Sequence, residues 1–132
     1  MSAKRFDNVN NVKVFLRLAI FSLAIACINA ATAGESLDRT INYLLSYIAT
    51  SHATFIRNGT THTPAEGAEH VRAKYEHFKN EIKTPEDFIR LAATKSLLSG
   101  LPYLVKPDGG KERRLDEWLA EALKAHRAAE SR

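Results

Sequence analysis

Asn58-Gly59 sits between Phe55-Ile56-Arg57 and Thr60-Thr61-His62, and this dipeptide restricts the fold more than any other feature of the chain. A helix does not run easily through an Asn-Gly pair. Both residues tolerate the positive φ needed at the two centres of a type I′ turn. With β-branched and aromatic residues on both sides, Thr54 to Thr63 is predicted to be a short hairpin of about four residues per arm. A hairpin alone is marginal in water, so it needs a third strand or a helix against it. The candidate strand is Pro102-Tyr103-Leu104-Val105-Lys106.

On both sides of the hairpin the apolar period changes to that of a helix. From Ser36 to His52, Leu37, Ile41, Leu44, Leu45 and Ile48 make one apolar stripe. Ser36 can cap the first turn, and Asp38 suits the positive end of the dipole. Thr63-Pro64-Ala65-Glu66 is a capping box with proline at the first helical position. In the helix it starts, Ala68, Val71, Tyr75, Phe78 and Ile82 share a face. Thr84-Pro85-Glu86-Asp87 repeats that start, with Phe88, Ile89 and Ala92 as the apolar side of a helix expected to fade around Ser96 to Gly100. Lys106 to Lys111 reads as a turn or loose loop after the strand. Leu115, Trp118, Leu119, Ala122 and Leu123 then form a last amphipathic helix, whose tail from Ala125 onward is expected to fray. These elements predict an α+β fold of about four helices packed on a small antiparallel three-stranded sheet. Residues 34–132 form a single domain with no internal repeat.

Residues 1–33 read as an export leader. Lys4, Arg5, Lys13 and Arg17 precede the uncharged run Leu18 to Ile28, and Ala31-Thr32-Ala33 offers small residues for cleavage after Ala33. The alternatives are an uncleaved anchor, for which the uncharged stretch 18–34 falls short of the ~20 residues a bilayer needs, or acylation at Cys27 after Ala26. Removal of the leader takes the chain's one cysteine with it, and with it any disulfide or thiol chemistry. It also removes the basic excess. Of 19 Lys/Arg and 15 Asp/Glu, four basic residues and one acidic residue fall in the leader, leaving 15 and 14. A domain so balanced gives no electrostatic argument for nucleic acid, which wants a basic patch, and after cleavage no transmembrane segment is expected. The expected location is the periplasm.

Candidate chemistry is sparse. His62, Glu66 and His70 recur every four residues, and a helix can offer an i, i+4 pair to zinc or copper. Glu66 is also claimed by the capping box, and the competing reading of all three is a solvated polar face. No G-x-S-x-G elbow surrounds Ser96 or Ser99, and a hydrolase would need a histidine within hydrogen-bond reach of Ser99. The adjacent acids Glu86-Asp87 and Asp116-Glu117 sit in first helical turns, where they answer the dipole. Arg57, beside Asn58 on a short strand, can hold a ligand's carboxylate or phosphate; alternatively it pairs with Asp87 or Glu66 and fixes the turn against a helix. Tyr103 can bring a phenol to the same place or simply fill a half-buried position.

Six pieces occur in order: Phe55 to Gly59, His62 to Tyr75, Ile82 to Ala93, Ser99 to Lys106, the Asp108-Gly109-Gly110 turn and Leu115 to Leu123. In these the chain resembles the YfeK-like family, small bacterial periplasmic proteins built around a domain of unknown function. The resemblance covers roughly residues 37 to 123. It implies a signal peptide followed by one compact, mostly helical domain, and it implies no activity. Among the family-like positions, packing does not explain Arg57, Asn58, Thr63, Glu66, His70, Arg72, Ser99 and Tyr103. The sequence therefore favours a non-enzymatic binding or interaction module without a cofactor. Arg57, Asn58 and Tyr103 are its ligand-binding candidates, and an envelope protein or a small ligand is the partner. The alternative is a zinc- or copper-binding protein using His62, Glu66 and His70.

Overall fold

A computed structural model of the chain describes residues 36–132; the leader, its cleavage site and Cys27 lie outside the described residues. Helix α1 covers residues 36–49. Strands β1 (Thr54–Arg57) and β2 (Thr60–His62) are followed by helices α2 (Pro64–Phe78) and α3 (Pro85–Ala92). Strands β3 (Leu104–Lys106) and β4 (Arg113–Arg114) precede helix α4 (Leu115–Glu130). The fold is α+β. Among the described residues no helix is long and apolar enough to cross a membrane.

The hairpin forms as its turn chemistry requires. Asn58 and Gly59 have φ of 52° and 76°, the paired left-handed values of a type I′ turn. The sheet runs β2-β1-β3-β4 and is antiparallel throughout, so it has one strand more than the sequence suggested. The addition is β4, a two-residue strand whose Arg113 and Arg114 pair with Val105 and Leu104. Two arginines carry no alternating apolar pattern, so nothing in the sequence marks them. β3 begins two residues later than expected because the Tyr103 amide donates to the Thr94 carbonyl at 3.0 Å instead of joining the ladder.

Register fixes the two faces of the sheet. Phe55 lies opposite both His62 and Val105, so these three share a face, and Arg57 joins them two residues along. That face meets the helices. Phe55, Val105, Leu44, Leu45, Ile48, Val71, Phe88 and Leu119 belong to one buried cluster. Each large side chain so buried contributes roughly 1.5–3 kcal/mol. The Trp118 ring of α4 stands 5.9 Å from the Phe55 ring and 4.7 Å from that of Tyr47 on α1.

Both Thr-Pro starts behave as read. Thr63 accepts from the Glu66 amide while the Glu66 carboxylate accepts from the Thr63 amide, and Thr84 accepts from the Asp87 amide. The ends of the helices differ from expectation. α3 stops at Ala92 rather than fading near Gly100, because the Thr94 hydroxyl takes the Ile89 carbonyl at 3.1 Å. The chain then doubles back, with Ser96 donating to Leu101, Gly100 at φ 70° donating to Ser96, and Lys95 bridging Pro102. This return leaves Leu97, Leu98 and Leu101 exposed. At the C-terminus the expected fraying is absent, since α4 continues to Glu130. His126 stacks on Tyr43 with ring centres 3.9 Å apart, and Arg127 pairs with Glu86 of α3.

Candidate functional site

One glycine sets the geometry of the site. A Cβ placed on Gly67 would lie 2.8 Å from Cγ of Phe55, well inside van der Waals contact, so α2 can rest on β1 at this depth only because that Cβ is missing. His70 is three residues further along α2 and Arg57 two residues further along β1, on the faces that Gly67 and Phe55 bring together. Arg57 Nη1 lies 2.9 Å from His70 Nδ1. On the far side of the imidazole, Nε2 lies 2.8 Å from the Tyr103 hydroxyl.

These contacts fix protonation. A guanidinium only donates, so His70 Nδ1 must present its lone pair, and a neutral ring then carries its proton on Nε2. Nε2–H donates to Tyr103, whose own O–H proton is left for another acceptor. Doubly protonated imidazole does not fit beside Arg57. Burial, then the charges of Arg57, Lys74 and His62, lower the His70 pKa to about 4. The Tyr103 phenol is raised by burial, which outweighs the opposing effect of Arg57.

Tyr103 is held from every side. Its backbone amide binds Thr94, and its carbonyl accepts from the Leu115 amide at 3.0 Å. Its ring faces Lys74, one turn beyond His70 on α2, with Nζ 4.9 Å from the ring centre. Lys74 is only 7% exposed. Its ammonium donates to the Lys95 carbonyl at 2.6 Å and has no carboxylate partner among the described residues. Burial, then Lys95, lowers its pKa. Neither Lys74 nor Gly67 was among the candidates read from the sequence.

The Arg57–His70–Tyr103 chain forms one wall of a pocket of about 320 Å³, at the small end of the roughly 300–1,000 Å³ typical of ligand sites. Ile56, Val71, Leu104 and Leu115 supply apolar lining, and Glu66, Glu69 and His62 also border it. Arg57 meets neither acid named as a possible partner. Glu66 is engaged by the Thr63 amide at 2.8 Å, an interaction that lowers its pKa, and Asp87 by Arg90 and the Lys83 amide. The guanidinium therefore has no carboxylate partner among the described residues.

The other candidates fall around or outside this wall. Asn58 accepts from the Ser99 hydroxyl at 2.5 Å and ties the hairpin turn to the 94–103 return. Ser99 thus meets an amide side chain and not a histidine. Arg72 is exposed. His62 Nδ1 is 3.9 Å from Glu66 Oε2, and His62 Nε2 is buried without a hydrogen-bond partner. His70 has given both ring nitrogens to Arg57 and Tyr103, so a zinc or copper ion would have to displace one of them. Among the described residues no group of three His, Cys, Asp or Glu side chains is placed to hold a metal ion.

A model of a family of unknown function (DUF5329) matches residues 35–127. The uncharacterized protein YfeK of Salmonella typhimurium is 33% identical over 86 residues, which span 64% of this chain and 72% of that protein. No solved structure matches the chain.

Proposed function

Since the chain belongs to the family of unknown function DUF5329, we propose from its own geometry that it is an exported, non-enzymatic binding module that takes a small molecule into the pocket between β1 and α2. One observation carries the reading. Three polar side chains, from β1, α2 and the return that leads into β3, are locked in a single hydrogen-bonded chain, at 2.9 and 2.8 Å, along one wall of an otherwise largely apolar pocket. A surface without a ligand gains little from so ordered a wall, because fixing long side chains costs roughly 1–2 kcal/mol each in lost rotamer freedom. Pre-ordering of this kind lowers the later cost of binding. The leader pattern of residues 1–33 supports export, with the periplasm as the place of action.

The test is chemical-shift mapping of protein expressed from the full chain, titrated with neutral hexanamide. The reading expects saturable shifts centred on Ile56, Arg57, His70 and Val71. Shifts scattered over the surface, or none up to the solubility of the probe, would remove its basis.

A further inference from the structure

The chemical class of the ligand follows from the charges around the pocket, an inference that rests on the binding reading above. We propose that the occupant is a monocarboxylate with a short apolar body, its carboxylate on Arg57 and the Tyr103 hydroxyl and its carbons against Ile56, Val71, Leu104 and Leu115.

Arg57 uses one N–H on His70 and offers the rest of its planar fork to a carboxylate. Its charge is unanswered by any acid among the described residues, and Lys74, packed over the Tyr103 ring, is a second cation without a carboxylate partner behind that wall. The Tyr103 O–H is a donor because its oxygen already accepts from His70. A neutral His70 completes the set by orienting both donors while adding no charge of its own. Glu66 and Glu69 at the border limit how much negative charge the pocket accepts, which selects a single carboxylate over a phosphate dianion. Lys74 is engaged by the Lys95 carbonyl and does not line the pocket. The site therefore has donors for one carboxylate and too few for the several oxygens of a phosphate.

The experiment compares hexanoate with hexanamide, which share shape and carbon count, on protein expressed from the full chain at pH 7. Affinities are read by NMR titration for the unaltered protein, Arg57→Gln and Tyr103→Phe. Hexanoate should bind roughly tenfold or more tightly than hexanamide, the margin of a hydrogen-bonded charge over a neutral polar group. Arg57→Gln should abolish the preference for hexanoate over hexanamide. Tyr103→Phe keeps the buried ring and should weaken hexanoate by a smaller factor. Equal affinity for the two probes, or hexanoate binding indifferent to Arg57→Gln, overturns the carboxylate assignment and leaves the pocket standing. Binding of neither probe overturns the assignment and the binding reading together. Inorganic phosphate competing hexanoate away from Arg57 would overturn the choice of carboxylate over phosphate.

Discussion

Arg57 donates to His70 Nδ1 at 2.9 Å across the junction of β1 and α2, and a cation that donates to an imidazole obliges that imidazole to stay neutral. The acid sensitivity of the fold follows. The His70 pKa falls from its ordinary 6.5 to about 4. Below pH 6.5 the unfolded chain takes up a proton that the folded chain refuses until about pH 4, so His70 costs stability as pH falls through this window, and its own effect levels off beneath it.

His70→Gln keeps an acceptor for Arg57 and a donor for Tyr103 but cannot titrate. Between pH 7 and pH 5 the unaltered protein should lose about 1–2 kcal/mol more than the variant, a figure reduced for partial solvent access. Urea unfolding at the two pH values measures the difference. The window is chosen to stay above the ordinary carboxylate values of 4.5 for Glu66 and 3.8 for Asp87. Both are held lower in the fold by hydrogen bonds, so their contribution is present above those values and is lost at lower pH.

Gly67→Ala should destabilise the protein although it improves helix propensity by about 1 kcal/mol. The new methyl meets the ring of Phe55 at 2.8 Å, and that ring is backed by Trp118. Overpacking of this kind costs about 1–3 kcal/mol. Urea unfolding should show a net loss, and hexanamide affinity should fall because α2 is pushed off β1.

Gly59→Val forces a β-branched residue to φ 76° at the second centre of the hairpin turn. A cost of about 1–2 kcal/mol is expected from backbone strain. Gly59 has nothing within 4 Å of where its Cβ would be, so the loss would come from conformation and not from a clash. Asn58→Gly, by contrast, should be tolerated in unfolding measurements, apart from the bond to Ser99.

Leu98 is 97% exposed on the 94–103 return. Leu98→Ser should leave stability within about 0.5 kcal/mol, whereas Phe88→Ala, which empties a fully buried site, should cost about 3–5 kcal/mol. Equal losses for the two would mean that Leu98 is buried and that the 94–103 return is not built as described.

Much of this fold is legible where local chemistry decides the structure. Asn58-Gly59, Thr63-Pro64 and Thr84-Pro85 each specify their own turn or helix start. Leu115, Trp118, Leu119, Ala122 and Leu123 declare a buried stripe that the structure reproduces. What escapes is set by partners distant in sequence. Arg113 and Arg114 form a strand only because β3 offers them an edge. The tail of α4 holds because Tyr43 and Glu86 are there to meet His126 and Arg127. In the site, Arg57, His70 and Tyr103 were visible as polar residues lacking a packing role, but their order along one hydrogen-bonded chain was not. Lys74 left one trace. At 100° per residue it falls within about 40° of Phe78, at the margin of the apolar stripe of α2, where a buried ammonium is an anomaly. Gly67 left none, since a close approach of helix to strand has no local pattern.

The protonation state of His70 bears most directly on the site, and a nitrogen-15 multiple-bond correlation spectrum of the imidazoles across pH 3.5 to 7.5 reads it. The neutral ring protonated on Nε2, persisting at pH 5 and yielding to imidazolium only near pH 4, is the predicted result. An imidazolium already dominant at pH 5.5, or a neutral ring protonated on Nδ1, would mean that Arg57 does not donate to His70 and that the wall of the pocket is not built as described.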